Sequence, residues 1–182
     1  GSEMCIRDSR FTTLVALFEP FPSRKLLDMM AALAAQGGRV VWTGPPPLID
    51  RDGNPVLADW SALTGADHEA IPGDGLILPG RRVAFSGALA DVPEMTILTD
   101  LLVDRVYPLK PREGASAVAE LRGHVVGVHR TLGQGTVTTL GFRPRDDQSQ
   151  SLGYDARYWF EILHALGAYP SSGSADGLND NT

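Results

Sequence analysis

One polar segment of the chain carries residue types that could bind a ligand or transfer a proton. It contains Arg143, Arg145, Asp146, Asp147 and Gln148 and follows directly on a hydrophobic stretch. In α/β folds the carboxyl ends of the strands usually carry the ligand-contacting groups, and arginine makes bidentate bonds of fixed geometry. The segment therefore predicts a polar contact to a sugar, a neighbouring domain or another subunit. An internal arginine–aspartate network that fixes the loop explains the same residues equally well.

A catalytic use of these carboxylates is a further interpretation. Asp146 or Asp147 could do acid–base chemistry with His129 if burial drives their pKa values apart. A nucleophile is not indicated, because no serine stands in a Gly-x-Ser-x-Gly turn, and Ser86 in Phe85-Ser86-Gly87 lacks the preceding glycine of that motif. We therefore predict no catalytic residue.

Cofactor and metal sites are not indicated either. The turn at residues 19–23 contains no glycine and places prolines on both sides of Phe21, which blocks the close approach of a pyrophosphate. The histidines include no His-x-x-x-His pair. The residues from Asp50 to Asn54 superficially resemble the start of a calcium loop. Such a loop needs glycine at position six and glutamate at position twelve, where this sequence has Pro55 and Ser61. We expect no cofactor and no metal ion.

Composition excludes several classes of partner. The formal net charge is −6, or −5 without the first nine residues, and nucleic acids and anionic membranes recruit clustered lysine and arginine instead. No apolar run approaches the ~20 residues of a membrane-spanning helix. Cys5 is the only cysteine, so the sequence predicts no disulfide. We expect a soluble protein, with the cytoplasm favoured, and no nucleic-acid or membrane partner.

The two ends of the chain differ in character from the part between them. Residues 1–9 look like the in-frame translation of a sequencing adapter, so we expect a non-native segment there and a protein whose upstream part is missing. Residues 171–182 are almost all Ser, Gly, Asp and Asn, which predicts a disordered tail. One domain is expected at residues 10–170.

Hydrophobic patterns predict the elements that position the polar segment. A buried strand from Thr12 precedes a helix that Ser23 caps and the pair Gly37-Gly38 ends, and a second strand follows at residues 40–42. Strand, helix and strand in this order indicate a βαβ unit and hence a parallel sheet. Further elements are expected as a short helix at residues 60–63, strands at residues 82–85, 96–98, 103–109 and 117–121, a hairpin of residues 124–131 and 136–142, and a last helix at residues 155–166.

Several of these motifs, taken in order, resemble the amidotransferase-like domain of family 42 β-galactosidases. The resemblance covers nearly the whole of residues 10–170. The motifs that carry it are Gly37-Gly38-Arg39-Val40-Val41 after the first helix, the turn Asp52-Gly53-Asn54, the run Gly114-Ala115-Ser116-Ala117-Val118-Ala119, the turn Gly133-Gln134-Gly135, and Leu166-Gly167-Ala168 after the last helix.

The resemblance implies both a fold and a function. The implied fold is α/β, a flavodoxin-like, class I glutamine amidotransferase-like three-layer sandwich with a mostly parallel sheet and an antiparallel hairpin near the C-terminus. The implied function is non-catalytic assembly, with a homotrimer suspected, within a glycoside hydrolase of carbohydrate metabolism. Its paired catalytic glutamates belong to a missing upstream barrel and cannot be assigned to any position here. The alternative is a stand-alone carbohydrate-binding or sensing module that uses residues 143–147.

Overall fold

The computed structural model of the chain describes residues 3–7, 12–69, 81–97, 106–144 and 152–168. These residues form an α/β fold with one large sheet, one small sheet and three α-helices. The helices are α1 (Arg24–Ala35), α2 (Leu57–Thr64) and α3 (Leu152–Ala165). The strands are β1 (Glu3–Arg7), β2 (Thr12–Ala16), β3 (Arg39–Thr43), β4 (Ala66–His68), β5 (Arg81–Phe85), β6 (Met95–Ile97), β7 (Leu109–Pro111), β8 (Ala115–Leu121), β9 (His124–Leu132) and β10 (Gly135–Leu140).

The large sheet is mixed, which corrects the expectation of a mostly parallel sheet. Its strand order is β1-β2-β3-β10-β9-β8-β5-β6, while β4 and β7 pair separately. Within the described ranges only β2 with β3 and β3 with β10 run parallel, and the other neighbours are antiparallel. The reason lies in the short turns after β8 and β9, because a two-residue turn can join only antiparallel strands.

The predicted βαβ unit is confirmed as β2, α1 and β3. Ser23 Oγ accepts a hydrogen bond from the Leu26 amide at 3.0 Å and so caps α1. At the other end of α1, Gly37 adopts a left-handed φ of 103° and the Gly38 amide donates to the Leu33 carbonyl at 2.8 Å. These bonds turn the chain directly into β3, which pairs parallel with β2.

The predicted hairpin is confirmed as β9 and β10, and its turn packs against the end of α1. A Cβ placed on Gly135 would lie 2.1 Å from the Gly38 carbonyl oxygen, so only glycine fits there. The close approach lets the Thr136 amide donate to the same carbonyl at 3.1 Å. The hairpin is thereby held so that β10 enters the sheet beside β3.

Helices cover both faces of the sheet. On one face α1 and α2 pack on alternate residues of β2, β3 and β10, and Trp42 meets Trp60 edge to face at a centroid distance of 6.0 Å. On the other face α3 packs through Ile162 and Leu163. Because both faces are buried, the centres of β2 and β3 are apolar runs without alternation, at residues 14–16 and 40–42.

One strand prediction is partly wrong, and two predictions about the ends of the chain stay predictions. The strand predicted at residues 103–109 is wrong for residues 106–108: Pro108 has no amide to donate, and β7 begins only at Leu109. Residues 103–105 and the expected disordered tail lie outside the described residues. The segment expected to be non-native contributes β1, which pairs with β2 at the edge of the sheet, and its origin stays a prediction.

Candidate functional site

Of the predicted polar segment, the structure describes only the beginning. Arg143 is half-buried and lies three residues after the end of β10. Arg145, Asp146, Asp147 and Gln148 lie outside the described residues. Their ligand or interface role, and any pairing of the two aspartates with His129, stay predictions.

The chain leading into this segment is fixed by close backbone contacts. The Gly141 amide donates to the Val126 carbonyl at 2.7 Å, and the Gly141 carbonyl accepts from the Tyr107 amide at 2.6 Å. A Cβ on Gly141 would lie 1.9 Å from the Tyr107 carbonyl oxygen. Phe142 follows, fully buried, with its ring centroid 6.3 Å from that of Phe85. Arg143 thus starts from a rigid base at the carboxyl end of β10.

Two proline-rich loops lie at the carboxyl ends of β2 and β3, where α/β folds usually carry ligand-contacting groups. They comprise residues 17–23 and 44–56. Thr43 Oγ1 donates to the Leu17 carbonyl at 2.6 Å, and the Arg51 amide donates to the Pro22 carbonyl at 3.0 Å. The Arg51 bond joins the two loops directly, and the Thr43 bond fixes the start of the first loop to the end of β3, from which the second loop leaves.

The second loop is fixed internally by a buried carboxylate. Asp50 Oδ1 accepts hydrogen bonds from the amides of Asp52 and Asn54, both at 2.8 Å. Its side chain is buried. The backbone hydrogen bond from Asn54 is the largest of the effects that hold the pKa of Asp50 below its ordinary value. Asp50 therefore acts as a turn-forming acceptor, as its position in Asp-x-Asp-Gly-Asn predicts, and not as a proton donor.

The loops expose large apolar side chains. Phe18, Phe21, Leu48 and Ile49 are 48%, 57%, 61% and 39% exposed, and we call them the loop surface. The Phe18 ring lies against the second loop, since a Cβ on Gly44 would be 3.4 Å from Phe18 Cδ2. Sequence reasoning missed this surface. The available signal was the placing of Phe21 between Pro20 and Pro22, because the two prolines restrict the backbone there to a turn and keep Phe21 out of a regular buried element.

A cavity of about 320 Å³ opens at the other end of the strands from the two loops, at the amino ends of β3 and β10. His129 lines it, with Nδ1 2.8 Å from Thr138 Oγ1, and burial lowers the pKa of this imidazole. Arg39 also lines it and donates from Nε to the Leu166 carbonyl at 2.8 Å, at the end of α3. Among the described residues the lining contains no serine, cysteine or carboxylate. Its described lining thus offers polar contacts, including the Thr136 hydroxyl, but no carboxylate that could pair with His129.

The other candidate groups have ordinary roles. Ser86 Oγ donates to the Ala117 carbonyl at 3.4 Å and is exposed. Across the described ranges, no group of three or more His, Cys, Asp or Glu side chains is placed to hold a metal ion. No helix in that part of the chain is both long enough and apolar enough to span a membrane.

Comparison with known proteins identifies the fold of the chain. The sequence matches no protein-family model and no curated protein. Among solved structures, a β-galactosidase from Bacillus circulans sp. alkalophilus aligns with 85% of this chain at 16% identity and a TM-score of 0.61. A β-galactosidase from the haloarchaeon Halorubrum lacusprofundi aligns with 85% at 21% identity and 0.58. A GH42 β-galactosidase from G. stearothermophilus aligns with 87% at 17% identity and 0.58.

The match covers most of this chain but a small part of each enzyme. The chain spans 22% of the length of these three β-galactosidases. At these identities the likeness concerns the fold alone. The resemblance to family 42 β-galactosidases is confirmed at that level: the chain has the fold of one domain of those enzymes.

Proposed function

We propose that this chain is a non-catalytic assembly domain of a larger, β-galactosidase-like glycoside hydrolase, of the amidotransferase-like α/β type. The observation that carries the proposal is the loop surface. At the carboxyl ends of β2 and β3, where an amidotransferase-like enzyme needs a nucleophile on a tight turn, this chain presents Phe18 and, between two prolines, Phe21. Exposed apolar surface of this kind serves contacts with protein, whereas catalysis requires polar groups.

The proposal includes partners and reaction class. The chain joins copies of the enzyme, with a trimer as the expected stoichiometry, and an upstream catalytic domain cleaves the glycoside in carbohydrate metabolism. The likeness to one domain of multidomain β-galactosidases supports this arrangement.

Activity measurements on the whole chain test the non-catalytic part. We expect no hydrolysis of nitrophenyl β-galactoside and no release of ammonia from glutamine. Activity that survives purification and disappears in His129→Gln, Asp146→Asn or Asp147→Asn would refute the proposal. A matched Asp52→Asn variant, altered on an exposed loop, controls for loss of activity through misfolding. Reading the source DNA upstream of Arg10 tests the other part, since a barrel-length segment with two strand-end glutamates is expected.

A carbohydrate-binding module is the second candidate. It is favoured by Arg143, which stands half-buried beyond the carboxyl end of β10 at the edge of the sheet that usually carries ligands. Calorimetric titration with galactose and lactose tests it. Binding that is lost in Arg143→Ala and Arg145→Ala but kept in Arg51→Ala would establish this role, and a parent chain without affinity would eliminate it.

A further inference from the structure

We propose that the loop surface is a self-association surface, through which a second copy of this chain binds by bringing its own loop surface into contact. The inference rests on the proposed assembly role and assigns it to named residues. The partner that binds the loop surface is a second copy of this chain, and the two copies are related by a symmetry axis. Near a two-fold or a three-fold axis alike, the same residues of each copy meet.

The exposed area fits the core of such a contact. The exposed fractions of Phe18, Phe21, Leu48 and Ile49 add up to about two fully exposed large side chains, or about 400 Å² of mostly apolar surface. A stable interface buries about 800 Å² per partner, with an apolar core inside a polar rim. The loop surface therefore supplies about half of the area that one copy must bury, and it supplies the apolar half.

The rim of the loop surface suits a copy of itself. Arg51 and Asp52 are adjacent, exposed and opposite in charge, on the loop that carries Leu48 and Ile49. When two identical rims meet, each arginine can face the other copy's aspartate. This local neutrality matters because the whole chain carries a net charge of −6 and two copies repel each other elsewhere.

The loops are already ordered before any partner binds. The Arg51 amide is bonded to the Pro22 carbonyl, Thr43 Oγ1 to the Leu17 carbonyl, and Asp50 Oδ1 to two amides of its own loop. Association then loses little loop entropy, and most of the hydrophobic gain remains available for binding.

Light scattering coupled to size-exclusion chromatography tests the inference on the whole chain. The double variant Phe21→Gln, Leu48→Gln removes the two most exposed members of the surface at little cost to folding. We expect the parent to associate and the double variant to dissociate with a dissociation constant raised about a hundredfold, as for two interface-core residues. Met29→Gln is the matched control, because Met29 is 45% exposed on α1, outside both loops.

Each outcome gives a distinct answer. Association of the parent and of Met29→Gln, with loss in the double variant, supports the inference. Equal association of the parent and the double variant overturns the inference and leaves the assembly role to another surface. A parent that is monomeric up to about 100 µM, where interfaces of this size normally associate, overturns both the inference and the assembly role. Circular dichroism of each variant verifies that it is folded.

Discussion

Two buried tryptophans in the core between α2 and the sheet lead to expectations of different size for the same substitution. Trp42 and Trp60 are both fully buried and touch edge to face. Trp42 Nε1 donates to the Pro45 carbonyl at 3.3 Å, whereas Trp60 Nε1 is buried without a hydrogen-bond partner among the described residues. The substitutions Trp42→Phe and Trp60→Phe remove the same atoms from neighbouring sites, so the difference between them isolates the indole N–H.

The magnitudes follow from these contacts. Each substitution leaves a cavity of about 40 Å³ and loses apolar burial, which together cost about 2 kcal/mol. Trp42→Phe also loses a hydrogen bond, which adds about 1 kcal/mol. Trp60→Phe instead removes an unsatisfied buried donor, which recovers about 1–3 kcal/mol. We therefore expect Trp42→Phe to lower the free energy of unfolding by about 3 kcal/mol and Trp60→Phe by about 1 kcal/mol or less.

Urea unfolding followed by far-UV circular dichroism measures the difference, because removing a tryptophan changes the fluorescence signal itself. The slope of the free energy against urea should be the same in parent and variants, which shows that the same transition is compared. Equal losses, or a larger loss in Trp60→Phe, would refute the reasoning and mean that a partner such as a trapped water satisfies Trp60 Nε1.

Two further predictions concern the strand that leads to the candidate site and the cavity at the other edge. Gly141→Ala should destabilise the fold by about 3 kcal/mol or more in urea unfolding, because the new Cβ would overlap the Tyr107 carbonyl. Gly53 is the matched control: it has open space around it and a left-handed φ, so Gly53→Ala should cost only about 1 kcal/mol. Similar losses in both variants would contradict the steric argument. Burial lowers the folded-state pKa of His129, so the unfolded chain binds the proton more tightly and the free energy of unfolding should fall as the pH drops below the ordinary value of 6.5. Subtracting the pH profile of His129→Gln from that of the parent measures this contribution, and a flat difference between pH 7 and pH 5 would contradict it.

The local elements could be predicted because their signals are local. Ser23 and the Gly37-Gly38 pair define both ends of α1, and the turn at residues 133–134 defines the hairpin of β9 and β10. The order of the sheet could not be predicted in the same way, since the pairing of β5 with β8, and of β4 with β7, joins segments far apart in sequence. No periodicity within a strand specifies which distant strand will be its neighbour.

The candidate site shows the same division. The sequence predicted that Arg143 follows a strand, and the structure has it three residues after β10, while its binding role stays a prediction. It did not identify the loop surface, because exposure depends on where the core lies. Phe18 continues the apolar run of β2, and on pattern alone it belongs to the buried strand. Only the geometry shows that the strand ends at Ala16 and that Phe18 lies over Gly44 instead.

The central position of β10 constrains the order in which the chain can fold. This strand lies between β3 and β9, and its parallel partner β3 was made about a hundred residues earlier in the chain. During synthesis the unit of β2, α1 and β3 therefore has an open edge until β10 leaves the ribosome. Such long-range parallel pairing slows folding and exposes the waiting edge to aggregation. Only the translation of residues 44–140 sets the time for which this edge is open. Faster translation of residues 44–140 should therefore raise the yield of folded protein more than faster translation of the residues before them.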